Sequence, residues 1–319
     1  MSQNAERPRM KTYLYRGDKN SYKANLHCHS TVSDGIRDPG KIKEMYAERG
    51  YSVVAFSDHN VLKAHHYLSD GGFLAISACE VDITRNMPGE QFDKMKTYHF
   101  NLYASRPGTV RTPPLPRMEY DDIDAINRYI QDRTDEGFLV SYNHPYWSMQ
   151  NHGDYSGLRG CFAVEIYNHG CETVGVYGYC PEVYDEMLRE GNRIYCLSTD
   201  DNHNGCPDDS PEWDSFGGFV VINSKSLEYT DIIGALTLGD FYSSQGPKIH
   251  EISIEGNKVY VKCSPAALIA LFTDGRRRRL KYGDAMEEAV FDMDGSEKFI
   301  RVMCRDNDKK DANSNAFWL

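Results

Sequence analysis

The 319-residue chain has no apolar run near the 18–20 residues needed to cross a bilayer, and none of the basic excess a general duplex-DNA binder needs. Lys and Arg number 36 against 47 Asp and Glu, a net charge of −11. The N-terminal stretch MSQNAERPRMKTYLYRGDKNSYK is polar and lacks the apolar core of a secretory signal, so a cytoplasmic protein with no membrane partner is expected. Nine cysteines are scattered without a CxxC, which speaks against a disulfide framework or a thiolate zinc site and for free thiols in a reducing compartment. No internal repeat is present. At 40% hydrophobic and 26% charged, the composition is that of an ordinary globular protein.

Up to about Ser244, apolar β-branched runs alternate with helical spacing. Tyr51–Phe56, Phe73–Cys79, Phe138–Tyr142, Cys161–Tyr167, Arg193–Leu197 and Phe219–Ile222 read as strands, and Tyr98–Ala104 alternates. Helices are expected over Lys41–Arg49, with Asp38 as N-cap, Pro39 at the first turn and Gly50 after the end, and over about 121–136, 183–190 and 230–238. This order implies an α/β unit over residues 1–244 with a mostly parallel sheet, open or closed. From Ile249 the runs are short and alternating, with turn signals at Glu255-Gly256-Asn257, Asp274-Gly275 and Asp294-Gly295, so residues 245–319 are expected to form a small antiparallel β-sandwich-like domain. That domain carries 13 basic and 12 acidic residues, so the acidity lies in the α/β part.

The chemistry sits where strands end. Ala24–Leu26 runs into His27-Cys28-His29 and then Asp34; Val53–Phe56 into Asp58-His59; Leu74–Cys79 into Glu80; Leu139–Asn143 into His144; and Ile194–Thr199 into Asp200-Asp201-Asn202-His203. His99 lies within its strand. Parallel strands deliver their C-terminal ends to one face, so these groups are expected to converge. Side chains two apart share a side, which puts His27 with His29, and Asp201 with His203, while Cys28 faces away. Imidazoles mixed with carboxylates suit zinc, manganese or iron, and the number of donors calls for two or three divalent ions, with Glu80 as the bridge. His65, His66, His152, His169 and His250 have no such context and are read as surface or hydrogen-bonding residues.

These segments, HCHSTVSDG, FSDHN, ACEV, YHFNLYA, YNHP, VEIYN and TDDNH, resemble the PHP (polymerase and histidinol phosphatase) metalloenzymes, in family order across about residues 22–223. The resemblance implies a distorted seven-stranded β/α barrel with metal ligands His27, His29, Asp34, His59, Glu80, His99, His144, Asp201 and His203; Asp200 is the alternative to Asp201. GDFYSSQGPKI and NSNAFWL resemble the CehA/McbA-like subgroup with a C-terminal β domain, some of which cleave esters or carbamates.

The leading expectation is a phosphoesterase acting on a small phosphate ester or nucleotide, in which His27, His29, Glu80 and Asp201 act through a metal-held hydroxide. Asp58 and Glu165 are candidates for orienting the ligands, and Arg37, Lys63 and Arg159 for holding phosphate. Alternatives are removal of 5′ nucleotides from short RNA or DNA, carboxylic or carbamate ester hydrolysis at the same metals, and a binding module that keeps the metals without turnover. The Pro-rich loop Arg106–Arg117 is a candidate cover for the site. The Arg276–Arg279 run reads as a solvated hairpin edge or an anionic-partner patch.

Overall fold

The structure is a computed structural model that describes residues 11–17, 19–109 and 111–319. Along the chain run β1 (Thr12–Arg16), β2 (Asn20–Asn25), α1 (Pro39–Glu48), β3 (Val53–Phe56), β4 (Leu74–Thr84), β5 (Thr97–Ala104), α2 (Ile123–Asp135), β6 (Phe138–Tyr142), α3 (His152–Tyr155), β7 (Ala163–Asn168), α4 (His169–Thr173), α5 (Pro181–Arg189), β8 (Tyr195–Thr199), β9 (Phe219–Ser224), α6 (Tyr229–Leu238) and β10 (Phe241–Ser244). Then follow β11 (Ile249–Glu255), β12 (Lys258–Thr273), β13 (Arg279–Asp292), β14 (Phe299–Arg305), β15 (Asp311–Ser314) and β16 (Phe317–Trp318). The chain divides into two compact units, Asn20–Ser243 and a second one joining Ser244–Leu319 with the described part of residues 1–19. No helix among the described residues is long and apolar enough to cross a membrane.

The first unit is mixed α/β. Strands β2, β3 and β4 pair in parallel, as do β6, β7 and β8, but β5 runs antiparallel to both β4 and β6, and β9 antiparallel to β2. The expected mostly parallel sheet is therefore interrupted. The link from β4 to β5 contains only a single 3₁₀ turn, Phe92–Lys94, and so has no helix to carry a crossover back to a parallel strand. Beyond the regular strands, the chain after β8 meets the chain after β2: Asp201 N donates to His27 O at 2.9 Å, His29 N donates to Asn202 O at 3.0 Å, and Cys28 and Asn202 form a parallel bridge.

Helix α1 starts as its capping residues dictate, with the Asp38 carboxylate accepting from the amides of Gly40 and Lys41. It packs Ile42 and Tyr46 against Cys28, Val54, Phe56 and Phe73. The main core lies on the other side of the sheet, where Ala24, Leu26, Val53, Ala55, Ile76, Ile222, Ile232 and Leu236 are buried together.

In the second unit β1 pairs antiparallel with β11, so a strand grouped with the α/β part on sequence belongs here instead. β11 turns into β12 through Gly256-Asn257, with Gly256 at φ +61°. The runs KVYVKCS and ALIALFTDG, which read as two strands, form the single β12; its register slips between Lys262 and Leu268, a stretch containing Pro265, which cannot donate to a ladder and is tolerated at a bulge. β12 pairs with β13 and β14, and β14 with β15 and β16.

Candidate metal centre

The nine expected side chains meet at one place. Beyond β2, strand alternation carries His27 and His29 inward and turns Cys28 into the cluster under α1. His59 follows β3, with its backbone bridged to Glu80, which lies within the long β4. His99 stands near the start of β5 and reaches the same end because that strand runs the other way. His144 follows β6, and Asp201 and His203 follow β8.

Four donor groups emerge among the described residues, one of them His27, His144 and Glu165 and the other three made of expected ligands alone. In the innermost, His27 Nε2 lies 3.0 Å from Asp201 Oδ1 and 3.3 Å from Glu80 Oε1, and His29 Nε2 lies 3.1 Å from Asp201 Oδ1 and 3.4 Å from Glu80 Oε2. The two Nε2 atoms are 3.1 Å apart. Four donors at ~2.1 Å from a tetrahedral ion stand about 3.4 Å from one another, so these separations are those of ligands around a common cation. In the second group, Asp34 lies 3.6 Å from His59 Nε2, 3.5 Å from His203 Nε2 and 3.6 Å from His29 Nδ1. His29 Nδ1 is buried with no hydrogen-bond partner, an orphaned atom that a cation would satisfy. In the third, Glu80 Oε1 faces His99 Nδ1 at 3.1 Å and His144 Nε2 at 3.3 Å. The other oxygen, Oε2, faces His29 and, at 3.2 Å, His59 Nδ1. Glu80 thus presents each oxygen to a different set of imidazoles. The donor set fits divalent cations.

Electrostatics reflect the crowding. Burial acts against ionised Glu80, yet the imidazoles of His27, His99 and His144 hold its carboxyl well below the usual range. Burial also acts against charged His29, but the hydrogen bonds that Asp201 and Glu80 accept from it push its imidazole up to about 9. His27 is raised well above normal, against burial, by Asp201, Glu165 and Glu80.

Surrounding groups fix the donors. Glu165 accepts from Thr199 Oγ1 at 2.8 Å, His144 N at 3.0 Å and Asn168 Nδ2 at 3.1 Å, and its Oε1 lies 2.7 Å from His27 Nδ1. It therefore contacts the ring of His27 at Nδ1. Asp58 touches no imidazole; it accepts from the amides and hydroxyls of Ser30 and Ser33 and pins the loop between His29 and Asp34. Gly35 closes that loop, and a Cβ there would lie 2.6 Å from the His29 carbonyl. His144 and Asp201 have positive φ, +25° and +54°, held by the amide bonds to Glu165 and to His27 O.

The neighbouring aspartates divide the work. Asp201 faces the imidazoles, whereas Asp200 turns away, accepting from Tyr46 OH at 2.7 Å and from the amides of Phe216, Gly217 and Gly218. Burial pushes the Asp200 carboxyl up to about 7 despite these donors.

Sequence reasoning missed the neutral partners: Asn143 Nδ2 donates to Glu80 Oε1 at 2.9 Å, Asn168 Nδ2 to Asp201 Oδ2 at 3.0 Å, and Ser148 Oγ lies 3.2 Å from His144 Nδ1. Their only signal was adjacency to ligand-bearing segments. Of the expected phosphate contacts, Arg37 is half-buried beside the Asp34 loop, and its Nε is buried and unpartnered. Lys63 is exposed on the segment leaving His59. Arg159 lies elsewhere, on the approach to the start of β7, where its guanidinium is held by the carbonyls of Ser156 and Leu158. Leu115–Arg117 of the Pro-rich loop line a cleft beside Asn60 and Asp82. A second cleft, of about 360 Å³, opens on Asp201 and His203 and includes Trp147, whose ring lies 5.1 Å from that of His144.

No family model matches the chain, and no curated protein matches it. Solved structures similar to it include a two-domain protein from Bacteroides vulgatus ATCC 8482 containing a predicted PHP-like metal-dependent phosphoesterase. It shares 16% identity over 99% of both chains at a TM-score of 0.49. Another, from Bifidobacterium adolescentis ATCC 15703 and likewise assigned as a metal-dependent phosphoesterase by prediction, shares 12% identity over 59% of this chain and 90% of its own, at a TM-score of 0.35.

Proposed function

We propose that the chain is a metal-dependent phosphoesterase whose two or three divalent ions, zinc, manganese or iron, are held by His27, His29, Asp34, His59, Glu80, His99, His144, Asp201 and His203. The observation that carries this reading is Glu80, one buried carboxylate whose two oxygens face separate imidazole sets. The seven strands β2 to β8 form the expected distorted barrel in this reading, supported by the pairing of His27–His29 with Asp201–Asn202. The nine scattered cysteines, with no CxxC among them, support a reducing, cytoplasmic setting.

Bound divalent ions would supply water of lowered pKa and neutralise phosphoryl oxygens. The chain's part is positioning. With Glu165 accepting the Nδ1 proton of His27, the bare Nε2 faces the donor group. Asn143 and Asn168 hold Glu80 and Asp201 against rotation. The amides of His203 and Asn204 donate to Asp214, which fixes the loop bearing His203. Cys171 lines the cleft at Asp201, where burial and the Asp201 charge raise its thiol well above normal.

Elemental analysis of protein purified without chelators, with activity on a phosphomonoester panel, tests the reading. Glu80→Gln and His29→Ala are expected to lose bound metal and activity together. Retention of full metal stoichiometry in both variants would refute it.

A further inference from the structure

The cleft that opens on Asp201 and His203 has a chemical character the metal-centre reading leaves unused. Its lining includes Trp147, Val174, Glu212 and Asp214 beside the two candidate ligands. Among the described residues that line it there is no Lys or Arg. Its charged groups other than the candidate ligands are Glu212, exposed, and Asp214, whose carboxylate already accepts from the amides of His203 and Asn204.

The opposite character comes from Trp147. Its ring lies 5.5 Å from that of His99 and 5.1 Å from that of His144, placing an aromatic surface at the edge of the donor groups. Val174, 61% exposed, continues the apolar lining. Tyr146, which adjoins Trp147, and Tyr177, three residues beyond Val174, are exposed and pack edge to face with centroids 5.2 Å apart. Exposed apolar side chains gathered at a cleft mouth are the mark of a recognition surface.

A phosphate bound at the metals would bring its leaving group into this cleft. A leaving group carrying further phosphates or a carboxylate would meet Glu212 with no chain cation to offset it, whereas a ring would gain the Trp147 face. We propose, resting on the phosphoesterase reading, that the substrates are small phosphomonoesters of aromatic alcohols whose distal end carries a positive charge, the ring lying against Trp147 and the cation against Glu212. Nucleotides bearing additional phosphates on the leaving group are disfavoured by the same cleft.

The test compares three aryl phosphates with closely matched leaving-group acidity: the phosphates of tyramine, 4-ethylphenol and 3-(4-hydroxyphenyl)propionate, given to the metal-loaded protein. The expected kcat/KM falls in that order, with at least about tenfold between the cationic and anionic esters. Glu212 is exposed and remote from the core, so its variants should fold. Glu212→Gln is expected to collapse the spread, and Glu212→Lys to invert it. Turnover of all three at equal rates, or in favour of the anionic ester, overturns this inference and leaves the phosphoesterase reading standing. Absence of turnover on every ester counts against that reading instead. The inference is then decided by binding of tyramine against 3-(4-hydroxyphenyl)propionate to wild type and Glu212→Lys, measured by saturation-transfer NMR. A preference for tyramine that Glu212→Lys reverses sustains it; equal binding overturns it.

Discussion

Replacing Glu165 by Gln is the sharpest probe of how the chain sets up its donor groups. The carboxylate is fully buried and joins four partners, among them the His27 imidazole at 2.7 Å and the His144 amide at 3.0 Å. An amide of the same shape preserves packing but cannot accept at both ends, so either the His27 and Thr199 contacts or the His144 and Asn168 contacts must face an N–H₂. Loss of a group that orients a ligating imidazole lowers metal affinity by about 10–100-fold, or about 1.4–2.7 kcal/mol. A second effect opposes the first. Glu165 is among the charges that raise His27, so the amide eases proton competition at that ring, and the deficit should shrink as pH falls. Competition with a chromophoric chelator at pH 6.5 and 8 measures both effects, and elemental analysis at saturation counts the ions. An affinity within twofold of wild type at pH 8 would refute the orienting role. A lost ion at saturation would make Glu165 a ligand instead, since its carboxylate also groups with His27 and His144.

The elevated imidazoles make metal uptake pH-dependent: with His29 raised to about 9, a cation must displace its proton at neutral pH, so affinity should rise about tenfold per pH unit for each proton released, up to pH 9. Calorimetry in buffers of different ionisation enthalpy counts those protons, and a pH-independent affinity would contradict the site. In chelated protein, the same shift lies above the unfolded value, so the stability from His29 is complete below about pH 6.5 and is lost as pH rises through about 9, read from urea midpoints. Gly35→Ala should open the Ser30–Asp34 loop, because the new methyl meets the His29 carbonyl. The loss of an ion at saturation with the fold intact by circular dichroism is the expected result. Tyr46→Phe removes the hydroxyl shared by Asp200, Asn202 and Asn25 and should cost about 1–3 kcal/mol in urea unfolding, with metal stoichiometry unchanged.

Residue chemistry and period were enough to locate most of the secondary structure and to nominate the donors. A two-residue spacing places His27 and His29 on one side whatever the strand pairs with, and Asp38-Pro39 with Gly50 bounds α1 from backbone preference alone. Such signals are local, carried by the residue itself or its near neighbours. Tertiary structure decided what depends on partners distant in sequence. The reversal of β5 brings His99 to the others, β1 pairs with β11 more than 230 residues away, and Asp200 and Asp201, identical and adjacent, take opposite roles because Tyr46 and the amides of residues 216–218 are folded against the one and the imidazoles of His27 and His29 against the other. Asn143 and Asn168 were silent for the same reason: a neutral amide announces nothing until a buried carboxylate is folded against it.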